Sequence, residues 1–138
     1  LLGRNDEARK SYGAVIAASP QDASALNSYA QLLYRIKDPE AIRMAEKAMK
    51  LAPNQAAYAD TYGWLLAERG DLENGVRVLR EARLREPGNG QIRWHLASAL
   101  AKAGRKLEAK DELKAALAST SPPVLGPELS ALKASLGL

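Results

Sequence analysis

The sequence contains no cysteine and only one histidine, His95, among its 138 residues. This excludes disulfides, and it excludes a thiolate zinc site or a cysteine–histidine nucleophile pair built within the chain. No apolar run approaches the roughly 20 residues that a membrane-spanning helix needs. We therefore expect no metal site, no cofactor and no membrane insertion in this segment.

The charges are nearly balanced. Lys and Arg number 20 against 16 Asp and Glu, which gives a net charge of +4, and 46% of the residues are hydrophobic. This composition is typical of a folded domain. The one basic stripe has arginines three positions apart, at Arg77, Arg80 and Arg83. Glutamates interleave with them, which favours a solvated outer face, so we expect no nucleic-acid partner.

The sequence repeats itself with a period of 33 or 34 residues. Small residues recur at steps of 33, 34 and 34 at Ala8, Ala41, Gly75 and Ala109. Leucines recur in the same phase at Leu33, Leu66 and Leu100, and prolines close successive units at Pro20, Pro53 and Pro87. A fixed period of this size is the signature of a repeat architecture.

Each unit reads as two helices joined by a turn. Tyr62 and Leu66 lie on one helical stripe, and Leu79 and Ala82 lie on a second. Gly70 falls between the stripes, where a helix end favours glycine. The same pattern along the chain predicts helices at about 4–18, 23–36, 39–52, 56–69, 72–85, 90–103, 106–118 and 127–136.

These positions resemble the tetratricopeptide repeat (TPR), a 34-residue helix–turn–helix unit. The matching residues are Tyr62, Gly63, Leu66, Gly70, Ala82 and Pro87, and then Leu96, Ala97, Leu100, Gly104, Ala109 and Ala116. The resemblance implies an all-α fold, a right-handed superhelical solenoid of antiparallel helix pairs. It also implies a concave groove lined by the first helix of each unit.

The expected organisation is a single array over residues 1–138. It comprises a partial repeat at 1–22 that consists of a second helix only, full repeats at 23–55, 56–89 and 90–121, and a linker with a capping helix at 122–138. The isolated second helix indicates a C-terminal fragment of a longer array. The segment Asp60–Leu66 and the alanine-rich second helices resemble those of bacterial TPR proteins. Its uncovered face, with Tyr12, Val15 and Ile16, favours self-association.

One turn departs from the period. Leu33 and Ala41 are eight positions apart, whereas Leu66 and Gly75 are nine apart. The missing residue falls near Lys37-Asp38-Pro39, in a turn, where a deletion is best tolerated.

The first helices carry the candidate partner-binding residues. After the core positions are removed, the residues expected to line the groove are Asn27, Gln31, Tyr34, Arg35, Asp60, Trp64, Glu68, Gln91, Trp94, His95, Ser98 and Lys102. Aromatic residues are frequent anchors in binding surfaces. Two interpretations of Trp64 and Trp94 stay open: they contact the partner in the groove, or they pack between helices as core.

The sequence contains no recognisable set of catalytic residues. Gly88-Asn89-Gly90 follows a helix and lacks the preceding strand of a phosphate loop. Asp111 and Glu112 are neighbours on an amphipathic helix, not carboxylates opposed across a cleft. The groove amides partly match TPR proteins that grip a partner's terminal carboxylates, but the Lys and Arg of that clamp are missing.

The sequence therefore predicts a non-catalytic scaffold that binds a protein or peptide partner in its groove. Alternatives are a self-association element, or an adaptor region of a larger enzyme or cell-envelope export complex. The compartment stays open between the cytoplasm and the bacterial envelope or periplasm.

Overall fold

The computed structural model describes residues 2–138. This part of the chain forms eight α-helices and no sheet: α1 (Leu2–Ala18), α2 (Ala23–Arg35), α3 (Ala41–Leu51), α4 (Ala56–Glu68), α5 (Leu72–Arg85), α6 (Gly90–Lys102), α7 (Lys106–Leu117) and α8 (Pro127–Ser135). The all-α prediction is confirmed. Each of these helices lies within two residues of its expected bounds at both ends. The largest differences are at the start of α1, two residues earlier than expected, and at the start of α3, two residues later.

Side-chain caps define several helix starts. Asp22 accepts a hydrogen bond from the backbone N–H of Ala25 at 3.0 Å, at the start of α2. The side chain of Asn89 accepts from the N–H of Gln91 at 3.0 Å and of Ile92 at 3.3 Å, at the start of α6. Such caps satisfy N–H groups that have no partner within the helix.

The turn of the first full repeat differs from the others. Gly70 and Gly104 adopt φ values of 91° and 79° in their turns, and Lys37 adopts 59° at the equivalent place. Asp38 then accepts from the N–H of Glu40 at 2.9 Å. This local turn, which includes Pro39, delays α3 to Ala41, two residues later than predicted.

Three apolar clusters run through the stack, and each joins consecutive repeats. The first cluster joins α2 and α3 to Leu65 of α4. The second joins α4, α5 and α6, with Ile42 and Met49 of α3 packed against it. The third extends from α4 to α8. Each cluster contains residues from more than one repeat, so the core is continuous between neighbouring repeats.

The C-terminal segment covers the last repeat, as predicted. Leu129 of α8 and Leu136, which directly follows α8, are buried in the same cluster as Leu113 and Ala116 of α7. The connection to α8 also lies against the start of α6, where Gly90 N–H donates to the carbonyl of Ser121 at 2.8 Å.

At the other end, α1 packs on α2. The ring of Tyr12 stacks on that of Tyr29, with 5.9 Å between centroids. Arg9 forms an ion pair with Asp38 at 2.6 Å. Val15 remains 45% exposed. Tyr12 thus packs on α2, which corrects its placement on the uncovered face. Self-association through the rest of that face stays a prediction.

The arginines of α5 are engaged with neighbouring side chains. Arg80 pairs with Glu108 of α7 at 2.8 Å. Arg83 and Arg93 both pair with the buried carboxylate of Glu112. These pairs join α5 to α6 and α7, and they neutralise much of the basic stripe.

Gly90 provides the first test of this packing. A Cβ at this position would overlap the carbonyl oxygen of Ser121 and lie 2.7 Å from Cδ of Pro123. We expect Gly90→Ala to lower the free energy of unfolding by about 1–3 kcal/mol, the cost of overpacking. Gly13 in α1 is the matched control, because a Cβ there meets nothing within 4 Å. Gly13→Ala should be neutral or stabilising by up to about 1 kcal/mol. Urea unfolding followed by circular dichroism measures both, and equal effects would contradict the packing described.

Tyr62 provides the second test, at alkaline pH. Its hydroxyl donates to Glu46 of α3 at 2.7 Å. Burial and then the Glu46 carboxylate raise the pKa of Tyr62 to about 12. The neutral hydroxyl therefore stabilises the fold fully below the unfolded pKa of about 10, and this contribution disappears as the pH rises to 12. We expect Tyr62→Phe to be less stable than the wild type by about 0.5–1.5 kcal/mol at pH 8. This gap should narrow above pH 10 in urea unfolding, whereas a gap constant to pH 12 would contradict the assignment.

Candidate partner-binding groove

Two tryptophans and the only histidine form one cluster between α4 and α6. The Trp64 ring stacks on the imidazole of His95, with 4.2 Å between centroids. Trp94 lies at 5.2 Å from Trp64 and 5.1 Å from His95, tilted against both. The cluster forms because adjacent first helices place residues about one repeat apart side by side.

Hydrogen bonds fix the orientation of this cluster. His95 Nδ1 lies 2.7 Å from Oδ1 of Asp60, on the neighbouring first helix. Its Nε2 lies 3.1 Å from the side-chain nitrogen of Gln91, and the oxygen of that amide accepts from the Trp94 indole N–H at 3.2 Å. Both ring nitrogens of His95 thus have partners within the protein.

A second chain of contacts follows the repeat itself. Tyr34 donates to Oε2 of Glu68 at 3.2 Å, and Lys102 donates to Oε1 of the same carboxylate at 2.5 Å. These residues stand 34 positions apart, one in each of three successive repeats. Burial, and then the Glu68 carboxylate, raises the pKa of Tyr34. Lys102 also lies 5.4 Å from the centroid of the Trp64 ring, a cation–π distance.

A cavity of about 540 Å³ opens next to the tryptophans, bounded by α4, α6 and α8. Trp64, Trp94, Glu68 and Lys102 line it from the first helices. The wall contributed by α8 carries Glu128, Ala131, Leu132 and Ser135. The cap therefore closes the last repeat and also forms one side of the groove.

The residues predicted for the groove divide by exposure. Six are exposed as whole residues: Gln31, Tyr34, Arg35, Glu68, Gln91 and Lys102. Asp60 and Trp64 are partly exposed. Four are buried: Asn27, Trp94, His95 and Ser98.

The difference in exposure between Trp64 and Trp94 bears on whether each tryptophan contacts a partner or packs in the core. Trp94 is only 8% exposed and belongs to the buried cluster that reaches α8. Trp64 packs against that cluster and against the α2–α3 cluster, yet keeps part of its ring accessible. Trp94 thus has the burial of a core residue, and Trp64 is the tryptophan that offers surface to the groove.

Asn27 has a feature that the sequence did not indicate. Its side-chain oxygen is buried and has no hydrogen-bond partner among the described residues. Nearby along the same helix, Gln31 reaches Thr61 at 3.5 Å. Buried polar atoms are nearly always paired, so this oxygen is an unused acceptor.

The residues of α8 that line the cavity were absent from the sequence-based list. Glu128, Ala131 and Ser135 are spaced i, i+3, i+7, directly beside the stripe of Leu129, Leu132 and Leu136. That spacing was visible in the sequence. It identifies the face next to the buried one, but not what the face contacts.

Two further observations limit the chemistry of the described residues. Nowhere in residues 2–138 do three potential metal-ligating side chains come together. None of the helices over this range is long and apolar enough to cross a membrane.

Two sequence models of the tetratricopeptide repeat match the chain, one over residues 66–136 and one over 2–56. A TPR repeat-containing protein of Pseudomonas aeruginosa, PA4667, is 37% identical over 100 residues. That match covers 67% of this chain and 16% of the Pseudomonas protein.

Solved structures share the fold. YrrB, described as a TPR protein with an unusual peptide-binding site, superposes with a TM-score of 0.79 at 16% identity, over 99% of this chain and 68% of its own. MamA superposes with a TM-score of 0.77 at 17% identity, over 99% of this chain and 81% of its own. These likenesses show the fold. The repeat period, the stacked helix pairs and the matching sequence models show that this chain belongs to the tetratricopeptide repeat family.

Proposed function

We propose that the concave groove binds an extended peptide segment of a protein partner, with Trp64 as its central anchor. The observation that supports this proposal most directly is the structural environment of Trp64. Its ring is partly exposed, held from behind by His95 at 4.2 Å, and borders the cavity under α8. A rigid aromatic ring offers contact area with little side-chain entropy to lose.

Polar groups around Trp64 suit a peptide backbone. The Lys102 ammonium lies over the Trp64 ring. Glu68 lines the same cavity, and Glu128 lines it from α8. Such groups set the orientation of a ligand, and the aromatic ring supplies the affinity. The peptide-binding site named for YrrB, which shares this fold, agrees with the proposal.

The chain acts in this proposal without catalysis. His95 is the only histidine, and it is buried, stacked on Trp64 and engaged at both nitrogens. A general base must be able to reach a substrate proton. His95 instead holds the tryptophans in place.

Replacing the two tryptophans separately tests the proposal. Peptides are first selected from a random displayed library against the wild-type chain. Trp64→Ala should then weaken binding of the selected peptides by roughly 2 kcal/mol or more, the range of an interface hot spot, in isothermal titration. Trp94→Ala should instead cost about 3–5 kcal/mol of folding stability, as for a buried aromatic residue, in thermal or urea unfolding.

Leu84→Ala is the matched surface control, because Leu84 is 75% exposed on α5, away from the groove. It should leave both binding and stability unchanged. The proposal fails if Trp64→Ala remains folded and binds the selected peptides with wild-type affinity.

A further inference from the structure

A separate cavity of about 460 Å³ lies at the edge of the array, by the turn between α2 and α3. We call it the hairpin pocket. Its apolar lining comes from Ala41 and Ile42 of α3 and Leu65 of α4. Its charged lining includes Arg35, Lys37 and Arg69.

The irregular turn accounts for this pocket. Five residues separate α2 from α3, whereas three separate α4 from α5 and α6 from α7. Lys37 takes a left-handed conformation, and α3 begins only at Ala41, so this helix is the shortest of the three second helices that follow a turn. The first turn of α3 therefore does not fill the space between the C-terminal ends of α2 and α4. Ile42 and Leu65 line the space that this leaves.

The lining of the hairpin pocket has more basic than acidic residues. Its two carboxylates are already neutralised: Asp38 pairs with Arg9 at 2.6 Å, and Glu68 pairs with Lys102 at 2.5 Å. Over residues 2–138, no ion pair or side-chain hydrogen bond engages the side chains of Arg35, Lys37 and Arg69. Three cations thus line this apolar space, and none of them has a direct ion-pair partner among residues 2–138.

We propose that the hairpin pocket is a second docking site, for an acidic segment of a protein partner that carries one apolar side chain. The apolar side chain would enter between Ile42 and Leu65. The acidic residues flanking it would lie on Arg35, Lys37 and Arg69. Charge complementarity selects an acidic occupant, because a basic segment would face three unneutralised cations. The hairpin pocket is a cavity separate from the one beside the tryptophans, and it does not depend on peptide binding there. Glu68 borders both cavities, and Tyr34 and Arg35 of the predicted groove also line the hairpin pocket.

The probe is a synthetic decapeptide of aspartates with one central leucine, blocked at both ends. Two matched peptides replace the leucine by glycine or the aspartates by asparagine. Titration into the ¹⁵N-labelled chain should shift the amide signals of Arg35, Lys37, Ile42 and Arg69. The signals of Trp64 and Trp94 should stay in place.

Charge reversal then tests the cations. Lys37→Glu with Arg69→Glu should raise the Kd of the probe by about tenfold or more. Lys47→Glu with Lys114→Glu is the control, because it changes the net charge equally at two exposed lysines that lie outside the pocket lining. This control should change the Kd by less than about threefold, since screening weakens distant charges.

Three results would overturn the proposal. One is equal affinity of the leucine and glycine peptides, which would reduce the interaction to charge attraction. Another is equal loss of affinity in the two double variants. The third is a set of shifts centred on Trp64, which would assign the probe to the groove. Because the groove is tested by Trp64→Ala and the pocket by Lys37 and Arg69, either proposal can fail without the other.

Discussion

Burial between neighbouring repeats is the interaction on which the rest of this structure depends. Leu79 and Ala82 of α5, for example, are fully covered only because α4 and α6 lie on either side. A single helix pair would leave such residues in water, at a cost of about 25 cal/mol for each Å² of apolar surface. The stacking also fixes the distance and rotation between first helices, and therefore the geometry of everything that they present.

Because the repeats stack regularly, residues at equivalent positions of successive repeats lie next to one another in space. Tyr34, Glu68 and Lys102 are far apart in the chain, yet consecutive repeats bring them into one line of hydrogen bonds. The same register places Asp60 beside His95. A repeat protein can thus build a polar site one residue per repeat, and each member can change without disturbing the helices behind it.

The sequence predicted the helices well because the signals for them are local. Periodic apolar residues, turn glycines and closing prolines each act within one unit, and the units repeat them. The late start of α3 was missed because it depends on the bond from Glu40 to the Asp38 side chain, which the apolar period does not record.

The candidate site was less predictable for a related reason. The sequence identified which residues leave the core of their own repeat, but not which of them the next repeat covers. Trp94 and Ser98 follow the groove pattern, yet both are buried in the stack close to the α8 wall. His95 is covered because its ring fits against Trp64. Such burial depends on the size and shape of partners from other repeats, which spacing does not encode.

Trp64 packs against two of the three apolar clusters, one on each side of α4. The stability of a repeat protein is approximately the sum of the stability of each repeat and of each interface between neighbouring repeats. A residue such as Trp64 contributes to two of these interfaces at once. Any ligand that restrains its ring would strengthen both interfaces together. A ligand bound in the groove would then make the array unfold more as one cooperative unit and less as a series of separate repeats. One local contact would thus determine how far local unfolding extends along the solenoid.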